Sequence, residues 1–189
     1  TFPYVDDYES AWDFVEQGQA IFIELDEMWG VANGYYIMAL IATHEGDYED
    51  AVGFHHKSLD LNDQYDDAWN KVLNFLNLGF VHLQLGNVAD AQSMFTAALR
   101  ISYEMGFNGS MLEALAGIAW IYFYQDKIQR SLALIGMIGA HSARNSEVEM
   151  RLMPLLDKLE SLLPRDELDQ GIQQGETMVV NAFVRKYLK

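Results

Sequence analysis

Cysteine is missing from this chain and proline is rare. Among its 189 residues there is no cysteine, and the three prolines stand at positions 3, 154 and 164. The absence of cysteine excludes disulfide bonds and thiolate metal sites, and because it is typical of proteins from a reducing compartment, we expect a cytoplasmic protein. Proline is the strongest helix breaker, so the long stretch without it between Pro3 and Pro154 favours an all-helical chain.

Basic residues are also scarce. There are 12 Lys and Arg against 28 Asp and Glu, for a net charge of −16. Binding to nucleic acid or to anionic lipid needs a basic surface, so we expect no direct nucleic-acid binding and no membrane attachment. The longest apolar run, at 132–140, is shorter than the roughly 20 residues that cross a bilayer. An acidic surface keeps a protein soluble, and a preference for a basic partner is the alternative interpretation.

The first ten residues, TFPYVDDYES, lack the features of a secretion signal. They carry no basic region and no apolar region, and they do not begin with Met. We therefore expect a fragment of a larger protein or a processed product.

A repeat of forty residues runs through most of the chain. The segments 8–27, 48–67, 88–107 and 128–147 align when each is shifted by forty residues. Apolar or small residues recur at their first, fourth and seventh positions, which places these residues on one face of a helix. The intervening segments repeat too, since Trp29 and Trp69 are also forty residues apart.

Each unit is predicted to be a helix, a tight turn and a second helix. Gly46 and Gly86, with Asp126 in the third copy, stand where a helix should stop. The acidic pairs at 26–27 and 66–67 suit turns and helix starts. The predicted first helices are 28–45, 67–85 and 108–125, and the predicted second helices are 8–25, 48–65, 88–105 and 128–144. The array thus begins with a second helix, which agrees with the expected fragment.

The pattern resembles the tetratricopeptide repeat (TPR) family. The residues that stand as that family requires are Leu78, Gly79, Gly86, Ala91, Phe95 and Ala98. The period is forty rather than the usual length of about thirty-four, and the closing proline is absent. Such longer repeats are similar to those in the C-terminal region of bacterial MalT-like and LuxR-type ATPase transcription regulators. The resemblance covers residues 8–145.

The resemblance implies a fold and a role. The fold is an all-α, right-handed α-solenoid of TPR-like repeats in a single domain at 1–189, with capping helices at 146–189. The role is that of a non-enzymatic interaction or sensor module in a bacterial signalling or transcription regulator. In the cap, we expect one helix to follow Pro164 and to end near Gly175, and we expect Thr177 to cap a final helix that runs through Lys189.

No catalytic motif is present. The chain has no cysteine nucleophile, no G-x-S-x-G, no phosphate-binding glycine loop and no H-E-x-x-H. We therefore expect no enzymatic activity, no cofactor and no metal. His44, His55, His56 and His82 lie in one half of the array without metal-ligand spacing, and His55 is interpreted as a core residue because it fills a large apolar position of the repeat.

Binding of a protein is the favoured function. The resemblance implies that the first helices line a concave groove, whose residues follow each other by three and four. This groove is rich in aromatic side chains and holds no basic one, which suits a protein or peptide with an apolar segment. Self-association into a homodimer and a small-ligand pocket are the alternatives, and packing of the aromatic residues between units or under the C-terminal helices is equally compatible with the sequence. The predicted partner-binding residues are Asn33, Tyr36, Leu40, His44, Phe80, Gln84, Glu113, Trp120, Phe123 and Tyr124.

Overall fold

The computed structural model describes residues 8–189, so most of the segment used to judge a secretion signal lies outside the described residues. The described part contains helices and no strand. The helices are α1 (Tyr8–Glu24), α2 (Met28–Glu45), α3 (Tyr48–Gln64), α4 (Ala68–Gln84), α5 (Val88–Met105), α6 (Asn108–Tyr124), α7 (Ile128–Gly139), α8 (Ser146–Leu162), α9 (Arg165–Glu176) and α10 (Val180–Tyr187). Six of the seven predicted repeat helices begin and end within one residue of their predicted bounds, which confirms an all-helical, TPR-like series of helical hairpins.

Residues in the left-handed backbone conformation stand between the repeat helices at intervals of twenty. Their φ angles lie between 51° and 87°. Glycine adopts this conformation without steric cost, and Asp tolerates it better than most residues do. The predicted turns are thus confirmed, and the repeat of forty is built from two helix-and-turn units of twenty. These residues are Asp26, Gly46, Asp66, Gly86, Gly106 and Asp126.

The chain divides into two compact units, residues 1–87 and 88–189. In the N-terminal unit, α2 packs on α1 and α3, and α3 packs on α4. Ala42, Ala51 and Val81 form a core cluster in this unit, against which the half-buried rings of Trp12 and Phe54 pack. The Trp12 indole also donates a hydrogen bond to the Glu45 carboxylate at 2.9 Å, which fastens α1 to the end of α2.

In the C-terminal unit, α6 is the central helix. It contacts α5, α7 and α8, and every residue at 110–121 except Glu113 is buried. A helix that is apolar on all sides must be covered on all sides, and here the covering comes from helices of the repeat and from one helix of the cap. Helix α7 packs in turn on α9.

Two expected boundaries in the C-terminal part were wrong. Helix α7 ends at Gly139 rather than near 144, because the chain must turn before α8, whose first turn is capped by the Asn145 side chain accepting from the Val148 N–H at 3.0 Å. Thr177 does not cap the last helix, whose N-terminal cap is Val179. The Thr177 hydroxyl donates to the Gln174 carbonyl at 3.1 Å and so belongs to the end of α9, whereas α10 begins after Val179.

No helix among residues 8–189 is long and apolar enough to cross a membrane. The expectation of one domain over 1–189 and the handedness of the repeat array stay predictions.

Candidate functional site

In the N-terminal unit, the predicted partner-binding residues lie on α2 and α4. Tyr36, Leu40 and Phe80 are half-buried, and Asn33, His44 and Gln84 are exposed. The Asn77 side-chain amide donates to the Tyr36 hydroxyl at 3.2 Å, which joins the two helices on this side. We call the surface formed by these seven residues and Ile37 the α2/α4 face.

A neighbouring side of α2 is held tightly against α1. A Cβ atom on Gly34 would overlap the side chain of Gln19, and one on Gly30 would overlap the ring of Phe22. The Gln19 amide is buried and donates to the Val31 carbonyl at 3.0 Å. Because this close contact fixes the rotation of α2 about its axis, it determines which residues of α2 remain on the α2/α4 face.

A buried polar network lies next to the α2/α4 face. His55 Nδ1 is 2.8 Å from Asn74 Oδ1, and the Asn74 and Asn62 amides donate to the Ser58 hydroxyl at 3.0 and 3.2 Å. The Tyr36 ring is 6.1 Å from the His55 ring, so the network is adjacent to that face. His55 is fully buried, which confirms it as a core residue.

Burial controls the charge of His55. The pKa of His55 is lowered to about 4, mainly by removal from water and to a smaller extent by the nearby His56 and His82, while the hydrogen bond with Asn74 acts in the opposite direction. The ring is therefore neutral at pH 7. In the part of the chain that the structure describes, no three His, Asp or Glu side chains are grouped to hold a metal ion.

In the C-terminal unit, helix α8 covers the predicted binding side of α6. Trp120 is only 9% exposed, and its indole donates to the Arg151 carbonyl at 2.9 Å. Glu113 is half-buried, and its pKa is raised by burial, while Arg151 opposes that shift. The sequence allowed Trp120 either to bind a partner or to pack under the C-terminal helices. The structure shows the second arrangement.

Phe123 and Tyr124 lie at the end of the same helix. Tyr124 stacks on Trp120 with ring centres 5.9 Å apart and remains 48% exposed. Phe123 is half-buried and meets both of these rings edge to face. In this cluster of three rings, Trp120 is buried and Tyr124 is exposed.

Two residues of the α2/α4 face were missed by reasoning from the sequence. Ile37, which is 38% exposed, and Asn77, which binds Tyr36, are forty residues apart and occupy the same repeat position. Ile37 follows Asn33 by four residues, so helical spacing could have predicted it. Asn77 could then have been predicted from the repeat of forty residues.

Comparison with known proteins supports the repeat assignment over one stretch of the chain. Residues 30–102 match the family model for the tetratricopeptide repeat, a stretch that holds most of α2, all of α3 and α4, and most of α5. No curated protein and no solved structure matched the chain. Repeats of this family generally mediate binding between proteins, and the match supports assigning residues 30–102 to the tetratricopeptide repeat.

Proposed function

We propose that this chain binds a protein partner through the α2/α4 face and that it serves a bacterial signalling or transcription regulator. The observation that carries the proposal is the combination of apolar and polar groups on that face. Tyr36, Leu40 and Phe80 offer half-buried apolar surface, and exposed amides of Asn33 and Gln84 stand beside them. An apolar centre within a polar rim is the usual anatomy of a protein interface. The regulator role rests on the resemblance of the forty-residue repeat.

The charge of the N-terminal unit supports a partner with basic groups. Residues 1–87 carry 16 acidic and only 2 basic side chains, whereas residues 88–189 carry 12 and 10. Of the two basic residues, Lys71 binds Asp63 at 2.9 Å, and Lys57 lies over the rings of Tyr35 and Phe54. The net charge of −14 in this unit would therefore attract a segment that combines apolar residues with Lys or Arg.

The proposal assigns different roles to the predicted residues of α6. Trp120 stabilises the packing of α8 and does not bind the partner, because its ring is covered. Tyr124 remains a proposed binding residue on account of its exposed ring.

Selection of helical peptides from a displayed library on the purified chain tests the proposal. We expect selected peptides to combine apolar residues with Lys or Arg and to bind more weakly as salt increases. Phe80→Asp should weaken them at least tenfold, because a carboxylate would replace apolar contact area. Ile23→Asp is the matched control, since Ile23 is an exposed apolar residue of α1. Equal binding by wild type and folded Phe80→Asp would exclude the α2/α4 face.

Self-association is the second candidate, and a specific feature of α1 favours it. Phe14 and Ile21 of α1 and Leu25 directly after it are 73%, 56% and 64% exposed and follow each other by seven and four residues. Helix α1 contains acidic and no basic residues, so two copies would repel at low salt. Sedimentation at several protein concentrations in high salt is the test: a dimer that Phe14→Glu dissociates would support this role, and a monomer throughout would exclude it.

A further inference from the structure

The C-terminal unit contains a cleft between α6, α7 and α10 that the sequence patterns did not indicate. Its volume is about 380 Å³. Leu134 is buried at its base, and the half-buried rings of Tyr122, Phe183 and Tyr187 line its sides. Clefts of this size, mostly apolar and with a few polar groups, are typical of small-molecule sites.

The aromatic side of the cleft is held by stacking of two of its rings and by a contact with α5. The rings of Phe183 and Tyr187 stack with centres 5.9 Å apart, and the Tyr187 hydroxyl is 3.5 Å from the Thr96 hydroxyl. Burial and the nearby Tyr187 raise the pKa of Tyr122, while the charge of Arg130 and a hydrogen bond from it act in the opposite direction; the phenol is protonated at pH 7 and can donate a hydrogen bond. Flat apolar surface and a hydroxyl donor therefore face the same space.

The rim of the cleft carries two cations and no acid. Arg130 and Lys186 both line it and are exposed, and none of the lining residues is Asp or Glu. Two other basic residues of this unit form salt bridges: Arg144 lies 3.2 Å from Glu149, and Arg165 lies 3.1 Å from Asp169. Among residues 8–189, no carboxylate forms a salt bridge with Arg130 or Lys186.

A third cation lies next to this rim. Lys127 Nζ and the Arg130 guanidinium are 5.9 and 5.8 Å from the centre of the Tyr122 ring. Positive charge is thus concentrated around one wall of the cleft, in a chain whose net charge is −16. The local charge favours an anion where the chain as a whole would repel one.

We propose that this cleft binds a small organic acid. Its carboxylate lies between Arg130 and Lys186, and its aromatic or alkyl body lies against Phe183 and Tyr187 over Leu134. A guanidinium binds a carboxylate with two parallel hydrogen bonds, and the apolar body supplies the remaining affinity through burial. This site goes beyond the protein-binding function, since it uses residues of the C-terminal unit that take no part in the α2/α4 face.

Titration calorimetry on the 189-residue chain tests the chemistry of the ligand. The probes are 2-naphthoate and octanoate as acids with apolar bodies, 2-naphthamide as an uncharged counterpart, and inorganic phosphate as an anion without a body. We expect one acid molecule per chain, binding by 2-naphthamide at least tenfold weaker than by 2-naphthoate, and no binding of phosphate. Equal binding of naphthoate and naphthamide, or no binding of either acid, would overturn the proposal.

Charge-matched variants test the location. Arg130→Gln with Lys186→Gln should weaken the binding of the acid at least tenfold. Arg100→Gln with Lys158→Gln removes the same charge from exposed residues outside the cleft and should change the affinity less than twofold. Circular dichroism melts of the free proteins show whether each variant is folded. An equal loss in both pairs would mean that net charge and not this cleft attracts the acid.

A peptide with a free C-terminal phenylalanine distinguishes a small acid from the end of a protein chain. It offers the same carboxylate and ring on a longer body. Competition with naphthoate, at weaker affinity, is expected. Binding of this peptide without binding of either small acid would overturn the assignment in favour of chain-end recognition.

Discussion

His55 Nδ1 and Asn74 Oδ1 lie 2.8 Å apart inside the N-terminal unit, where both residues are fully buried. Forty residues further along, the same two repeat positions hold Phe95 and Ala114, which are buried as well. A polar pair in one repeat thus replaces an apolar pair in the next. Since an amide oxygen only accepts, Nδ1 is the donor, and Nε2 of His55 has no hydrogen-bond partner among the described residues.

Removing Asn74 alone should destabilise the fold. Asn74→Ala leaves the buried His55 N–H without its acceptor and removes one of the two hydrogen bonds that the Ser58 hydroxyl accepts, at a cost of about 1–3 kcal/mol. The double change His55→Phe with Asn74→Ala introduces the pair of the next repeat and should cost less than Asn74→Ala alone. Urea unfolding at pH 7 measures the difference. A double variant that is less stable than Asn74→Ala would show that this repeat cannot accommodate the apolar pair.

Acid should destabilise the protein through His55. Its pKa is about 4 in the folded state and about 6.5 in the unfolded state, so between these values the unfolded chain binds a proton that the folded chain does not. The contribution of neutral His55 to the free energy of unfolding is therefore fully present above pH 6.5. It declines as pH falls toward 4, and about 2 kcal/mol of it is lost at pH 5.

The control for this pH effect is the same double variant, His55→Phe with Asn74→Ala. It lacks the buried imidazole but retains all the carboxylates, whose protonation also changes stability with pH. The free energy of unfolding of wild type should fall by about 2 kcal/mol more than that of the variant between pH 7 and pH 5. Parallel pH profiles for the two proteins would contradict the assignment to His55.

Trp120 should act as a stabilising residue. Trp120→Ala removes a buried ring and the hydrogen bond to the Arg151 carbonyl, which should cost about 3–5 kcal/mol. Trp29→Ala is the matched control, because Trp29 is 54% exposed and its indole donates to Glu27 in the preceding turn. Thermal unfolding compares the two. Equal melting temperatures would mean that α8 does not depend on Trp120 for its packing.

The crossing of α7 and α9 should not tolerate a side chain at Gly136. A Cβ atom there would overlap the carbonyl of Ile172, and one on Gly175 would overlap the carbonyl of Ala133. Because these are backbone atoms, the helices themselves would have to separate, and Gly136→Ala should cost about 3 kcal/mol. Gly139→Ala is the control, because its Cβ would meet only Arg144 at 3.9 Å. Its free energy of unfolding, measured with a chemical denaturant, should stay within about 1 kcal/mol of wild type. A larger loss for Gly139→Ala would refute this account of the crossing.

The repeat helices could be predicted closely because the signals that end them are local. A left-handed residue recurs every twenty residues, and Gly or Asp fills each of these positions. The end of α7 was predicted too late because the length of the earlier second helices was carried over to the fourth copy, whereas the chain turns after Gly139 and α8 starts from the Asn145 cap. The cleft at Arg130 and Lys186 was not predicted, since its walls come from helices that are far apart in sequence.

The sequence by itself determined the helices, the turns and the repeat, because each depends on neighbours within one or two helical turns. Only the tertiary structure decided which repeat positions are accessible. Phe80 and Trp120 are forty residues apart and equivalent in the pattern, yet Phe80 is half-buried on the α2/α4 face and Trp120 is covered. The physical reason is α8, a later segment that packs on α6 and accepts the Trp120 hydrogen bond through its own backbone, which no periodicity within the repeats can reveal.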